Sequence, residues 1–261
     1  MTKTHRTLIT ALLLATGARN AWSQSPFLRG TDTRTATPES IMGQRKLWGA
    51  DMGLGGAFNR GNTDVDYVSS SFDLFRVFGP ATAYLNGNMT YNTFNGLRTL
   101  NQGSLTARYD HRIRGHWKVF VFNTEAYNEF LKLDYRATTG AGPWYDWEVG
   151  PTMNGTSLAV THEYERFRGG LIQRAARFSF RNLSSLALSP TARISADFFY
   201  VPKADDFADN HISAELSLET TIWKELGLKL AWLDEYDSRP QPGVKANDTH
   251  ILTSLTFHFG K

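Results

Sequence analysis

The sequence predicts an all-β fold, an antiparallel up-and-down transmembrane β-barrel of about twelve strands over residues 45–261. Three observations predict it. Apolar and polar residues alternate with period two in one segment after another, no helical stretch separates the segments, and their connections are alternately short and long. Composition agrees. Of 261 residues, 41% are hydrophobic and 20% charged, which excludes a disordered chain, while 13% aromatics and 22 Gly favour strands and turns. There is no cysteine, so disulfide scaffolds, zinc ribbons and thiol catalysis are excluded. Beyond the N-terminal segment no apolar run approaches the ~20 residues of a membrane helix.

Residues 1–23 follow the order of a secretory signal peptide. Lys3, His5 and Arg6 form a basic start, residues 8–17 an apolar stretch too short to span, and Ala21-Trp22-Ser23 a small-residue cleavage site before Gln24. A buried N-terminal helix is the alternative, but it does not require that order. Lys3, Arg6 and Arg19 account for the whole formal charge of +3, so the rest of the chain is balanced and carries no nucleic-acid footprint. Residues 24–44 are polar, with Pro26, Pro38 and Gly43, and read as a flexible leader.

The candidate strands are 45–59, 63–78, 81–94, 101–114, 117–130, 133–148, 154–166, 175–188, 191–202, 210–222, 226–237 and 248–259. The period is clearest over 212–222, where Ile212, Ala214, Leu216, Leu218, Thr220 and Ile222 oppose Ser213, Glu215, Ser217, Glu219 and Thr221. Over 47–59, Trp48, Met52, Leu54 and Phe58 share one face; over 250–259, Ile251, Leu255, Phe257 and Phe259 do. Residues 65–77 and 117–130 alternate poorly. Short connections fall at Phe78-Gly79-Pro80, Arg114-Gly115-His116, Gly150-Pro151, Leu188-Ser189-Pro190 and Trp223-Lys224-Glu225. Longer, more polar ones are expected at 95–100, 167–174, 203–209 and 238–247. Tight turns at one end and loops at the other are the asymmetry of an outer-membrane barrel.

Trp48, Trp117, Trp147 and Trp223, with Phe78 and Phe259, fall at strand ends beside the short turns or the N-terminus, which predicts an interfacial aromatic girdle. The opposite face carries Arg108, Asp110, Arg112, Arg114, Arg177, Arg181, Arg193, Asp197, Glu215, Glu219 and Lys229. These are too many for a small soluble core, and their mixed sign suits pairing across a lumen. They are therefore assigned to the inner face, where long side chains narrow the bore and select weakly between anions and cations. A soluble barrel with these charges as its solvated surface is the alternative.

Catalytic and ligating signals are weak. His162 and Glu163 face opposite sides of a strand, so with Glu165 they form no metal site. His250 and His258 lie roughly 27 Å apart along a strand. The acidic groups Asp205-Asp206 with Asp209-Asn210, and Asp234-Glu235 with Asp237, lack the spacing and closing Glu of a calcium loop and read as solvated loop charge. No Gly-x-Ser-x-Gly elbow occurs, and Gly140-Ala141-Gly142 lies within a strand as room for a bulge or close packing. No cofactor, metal or catalytic residue is assigned.

Other residues carry a resemblance. Leu54-Gly55 followed by Gly61-Asn62-Thr63, Tyr135-Arg136 leading to Gly140-Ala141-Gly142, Tyr200, Tyr236-Asp237-Ser238-Arg239-Pro240, Lys245, Asp248-Thr249 and the Leu255 to Phe259 strand resemble the salt-induced outer-membrane proteins, a YdiY-like domain of unknown function. The resemblance covers about residues 45–259 and is most specific in the last hairpin. It implies an outer-membrane barrel of uncertain activity. A terminal aromatic is usual in such barrels, whereas here Gly260-Lys261 follow Phe259. The expected role is an envelope barrel, structural or stress-related, or a narrow passage for small solutes. The expected partners are outer-membrane lipid, lipopolysaccharide and the barrel assembly machinery, with no nucleic acid. The alternatives are an outer-membrane lipid-modifying enzyme and a soluble periplasmic binding barrel.

Overall fold

The structure, a computed structural model, describes residues 47–60 and 64–260; the expected signal peptide and leader, and Gly61-Asn62-Thr63, lie outside the described residues. The strands are β1 (Trp48–Asn59), β2 (Val65–Phe78), β3 (Ala81–Phe94), β4 (Leu97–Arg114), β5 (Trp117–Asn128), β6 (Leu133–Val149), β7 (Thr152–Phe167), β8 (Ile172–Ser189), β9 (Ala192–Lys203), β10 (Asp206–Trp223), β11 (Leu226–Asp237) and β12 (Asn247–Gly260). Each pairs antiparallel with its sequence neighbours, and β1 pairs with β12, closing a twelve-stranded barrel. No helix occurs among the described residues.

Period two places side chains alternately inside and outside this cylinder. In β10, Ser213, Glu215 and Ser217 are buried, and Glu215 is only 8% exposed, whereas the adjacent Leu216 is 46% exposed. The same pattern puts Leu230 and Trp232 of β11 outside and Ala231 and Leu233 inside. Large apolar side chains therefore cover much of the exterior, and buried polar and charged groups line the interior.

The two barrel ends differ less than the sequence suggests. Residues 95–100 and 203–209 are mostly strand: Leu97 and Arg98 pair with Phe94 and Thr93, leaving Asn95-Gly96 as the β3–β4 turn and residues 204–205 between β9 and β10. The β7–β8 connection shrinks to 168–171. Their polar composition reflects strands that rise to the wet mouth of the barrel, where composition mimics a loop but a partner strand still supplies the ladder. Among the described residues, only 238–246, between β11 and β12, form a long connection. At the same mouth Glu129 accepts hydrogen bonds from Asn101 Nδ2 at 3.0 Å and Arg98 Nη1 at 2.9 Å, and the Asn101 bond leads in holding its carboxyl below the usual range.

Asn95 and Gly96 have φ of 49° and 75°, the left-handed pair of a type I′ turn, whose twist matches the flanking strands. Gly96→Val forces a β-branched residue into that region. Its expected cost is about 1–2 kcal/mol, read as a lowered denaturant midpoint; Gly96→Asn should cost clearly less.

Candidate functional site in the lumen

Twelve strands enclose more space than the side chains of an eight-stranded barrel just fill. Here one side of the bore is filled and the other is not. The filled side begins with Trp144 on β6, 1% exposed, packed with Phe120 and Phe122 of β5, Ala159 of β7 and Leu183 of β8. The ring fits because Gly155 stands beside it: a Cβ there would lie 2.0 Å from Trp144 Cζ2. Arg108 lies over Phe120 at 4.1 Å and over Trp144 at 5.1 Å, and Arg181 lies over Phe199 at 4.8 Å and Trp144 at 5.7 Å. A guanidinium within about 6 Å of a ring centroid is attracted by the ring quadrupole, more so when desolvated.

Each of these cations also meets an anion. Arg108 Nε donates to Asp110 Oδ1 at 2.6 Å, and Arg181 holds Asp197 through two bonds of 2.9 Å. Trp144 Nε1 donates to Asp146 Oδ1 at 2.7 Å, and Lys118 Nζ lies 2.7 Å from the other oxygen of that carboxylate. Towards the loop mouth a second network runs through Arg136, Glu165, Glu163, Arg177 and Asp209. Arg136 Nε donates to Glu165 at 2.8 Å, Arg177 Nε to Glu163 at 3.1 Å, and Arg177 Nη1 to Asp209 at 3.0 Å. Above it Leu131, Leu133, Phe167, Phe199 and Val201 form an apolar cluster, against which Val244 of the long β11–β12 connection packs.

The unfilled side is a polar cavity of about 170 Å³ between β8–β12 and β1–β2. Small residues make the room: Gly53, Ser71, Ser195, Ser217, Ser254 and Thr256 line it. Its charged lining includes Asp51, Asp73, Arg193, Glu219, Lys229 and His258. Lys229 Nζ lies 3.2 Å from Glu215 Oε1. His258 bridges three strands, with Nδ1 2.8 Å from Asp51 and Nε2 3.0 Å from Glu219, which also accepts from Thr256 Oγ1 at 2.8 Å. For both contacts to be hydrogen bonds, both ring nitrogens must carry hydrogen.

Of the residues assigned to the inner face, Arg108, Asp110, Arg177, Arg181, Asp197 and Glu215 are buried, and Arg193, Glu219 and Lys229 are half-buried along the cavity. Arg112 differs. It pairs directly with the buried Lys118 and so keeps to the inner row, but at the barrel end it is exposed and donates to the Gly115 carbonyl at 3.0 Å; the bulge lies beyond it, between Arg112 and Arg114. Arg114 is exposed as well. Trp48, Trp117, Trp223 and Phe259 are exposed at the short-turn end; Trp147 is half-buried and donates to Thr156 Oγ1 at 2.9 Å. The acidic loop groups are held by the protein itself: Asp206 by Arg239 at 2.6 Å, Asp209 by Arg177, and Asp234 by Asn247 and Thr249. Sequence reasoning missed Lys118, Arg136, Asp146 and the buried role of Trp144, although the position of Trp144 away from the girdle was a usable signal.

A closed antiparallel barrel with an apolar exterior and an ion-paired interior is thus the class this chain falls in. It belongs to the family described as "Protein of unknown function, DUF481", which matches residues 52–259. No curated protein matches it. Among solved structures it is similar to the NanC porin, at 10% identity and TM-score 0.47 over 81% of this chain and 97% of that one. It is also similar to the translocator domain of autotransporter NalP from Neisseria meningitidis (10% identity, TM-score 0.44, 98% and 95% of the two chains). A third is the KdgM porin (10%, 0.43, 82% and 99%).

The Arg181–Asp197 pair sets up a test. Asp197→Ala leaves a buried guanidinium without its carboxylate, and the expected loss is about 3–5 kcal/mol. Arg181→Met combined with Asp197→Leu should recover most of it in the same unfolding titration, since the uncompensated charge is then gone.

Proposed function

We propose that this protein is an outer-membrane β-barrel of the bacterial cell envelope, structural or stress-related, whose lumen offers a narrow passage to small solutes. One observation carries the membrane placement: the exposed face of the barrel is apolar on adjacent strands, with Leu216, Leu218, Leu230, Trp232, Ile251 and Leu255 outward, while arginines and carboxylates turn inward. In water the opposite arrangement is favoured, since apolar area removed from water stabilises by roughly 25 cal/mol per Å². In hydrocarbon every backbone N–H and C=O needs a partner within the protein, and a closed ladder supplies it. Export through the expected signal peptide, insertion by the barrel assembly machinery, and contact with outer-membrane lipid and lipopolysaccharide belong to the same reading. The stress role rests on the resemblance to salt-induced outer-membrane proteins alone.

The passage reading rests on the polar cavity. Its bore is limited by the Trp144 side, and the Leu131 cluster with Val244 narrows the loop mouth. Paired charges of both signs favour neither anions nor cations strongly.

Three kinds of measurement test this. The barrel should fractionate with outer membranes and show heat-modifiable gel migration; a chain that stays in solution without detergent overturns the membrane placement. In planar bilayers it should pass a small, weakly selective current, and no current at any voltage rejects the passage. Facing is tested by refolding into vesicles: Leu216→Arg should cost about 2–4 kcal/mol near mid-membrane, and inward Ser217→Ala about 1 kcal/mol or less. Equal effects would reverse the assignment of faces.

A further inference from the structure

The barrel closes along a short edge. β1 pairs with β2 over its whole length, Trp48 to Asn59, but with β12 only from Gly49 and Gly260 to Leu54 and Leu255. Beyond that rung, among the described residues, the ladder between β1 and β12 ends, although β1 continues to Asn59 and β12 begins at Asn247. Gly55 and Gly56 open this stretch, and glycine offers no side chain for cross-strand contact. The strands stay close at first: a Cβ on Gly55 would lie 3.9 Å from the Thr253 carbonyl oxygen. Two facing strand edges in hydrocarbon have backbone groups that need partners.

Two spaces meet at the foot of this seam. Outside is an apolar groove of about 350 Å³ lined by Met52, Leu54, Phe72, Leu74, Phe257 and Phe259. Inside is the polar cavity. Met52 and Ser71 line both, so the wall between them is a single layer of backbone. It is thin because Gly53 faces Ser71, where a Cβ would lie 2.5 Å from the serine Oγ. The cavity lining carries Lys229, paired with Glu215, and Arg193, together with the carboxylates Asp73 and, both held by His258, Asp51 and Glu219.

We propose that the β1–β12 seam binds an amphiphile with a zwitterionic head group. Its acyl chain lies in the outer groove, and its head enters the lumen beyond the close approach of Gly55 to Thr253, where no ladder pairs β1 with β12. A phosphate would meet Lys229 and Arg193, and an ammonium the carboxylates of β1 and β2, so the zwitterionic head would exchange with the existing pairs of the lining. The mixed charge of the cavity selects a zwitterion over a purely anionic lipid. The shape selects a chain over a second copy of the protein, which would need about 800 Å² from each partner, more than a trough between the side chains of three strands.

This rests on the membrane placement above, and the test separates the two. The full chain is reconstituted into phosphatidylcholine vesicles, and insertion is scored by heat-modifiable migration. The vesicles carry a phosphatidylcholine with a diazirine in its chain, and photolabelled residues are mapped. Label should concentrate on Met52, Leu54 and Phe257, several-fold above Leu216 and Leu218 on the far wall. A phosphatidylglycerol carrying the same diazirine should label the seam clearly less. The chain has no cysteine, so Gly56→Cys with Thr253→Cys, two rungs beyond the last pair, can lock the seam on oxidation. The lock should reduce labelling of the three seam residues, and reduction should restore it. An inserted barrel labelled evenly around its belt, or indifferent to the lock, overturns the site alone. Equal labelling by the two lipids overturns the zwitterion preference. A chain that never inserts overturns the membrane placement and the site with it.

Discussion

Trp144 lies against two guanidinium groups, and the layout of the interior follows from that contact. The indole holds Arg108 and Arg181 by its π-face and Asp146 by its N–H. Each arginine in turn fixes a carboxylate, so desolvation of a buried ion is offset twice, by a ring and by an anion. An aromatic wedge between paired charges is rigid, and it sits to one side. The free space of the bore is consequently pushed against β9–β12 and β1–β2, where serines and glycines replace large side chains.

That lopsided interior shapes what the barrel can do. A centred plug would leave a thin ring of space around it, too narrow for any solute. Here a polar chamber of about 170 Å³ lies off-centre, lined by Asp51, His258 and Glu219, with the Leu131 cluster towards the loop mouth. The chamber wall includes the short β1–β12 ladder, so this polar chamber adjoins the least tightly paired seam among the described strands.

Much of this was legible in the sequence and some was not, for identifiable reasons. Closure, strand number and direction follow from alternation, and β10 shows the alternation cleanly because its inner face holds only Ser, Glu and Thr around the middle. β5 concealed it: Phe120 and Phe122 point inward while Val119 and Val121 point outward, so both faces are apolar and the period fades, although burial alternates along the whole strand. The charged inner row of β4 continues to Arg112, opposite the buried Lys118, but composition does not show that this rung lies at the open turn end, where Arg112 is exposed. Which carboxylate meets which arginine depends on the register and bulges of neighbouring strands, β6 with β7 and β8 with β9. Arg136 with Glu165 and Arg181 with Asp197 could not be paired from spacing alone. Glu163 and Glu165 were noticed only as weak metal candidates; the fold makes them counter-ions of Arg136 and Arg177.

The brevity of the β1–β12 ladder bears on how the cylinder is made. Every other strand pair joins neighbours in sequence, so hairpins assemble with little loss of chain entropy, whereas the rung between Gly49 and Gly260 ties the two extremities of the described chain together. Few bonds reward that ring closure, so it belongs late in folding. A curled, still open sheet is the natural precursor, and its two free margins are the part of the molecule most in need of escort until they meet.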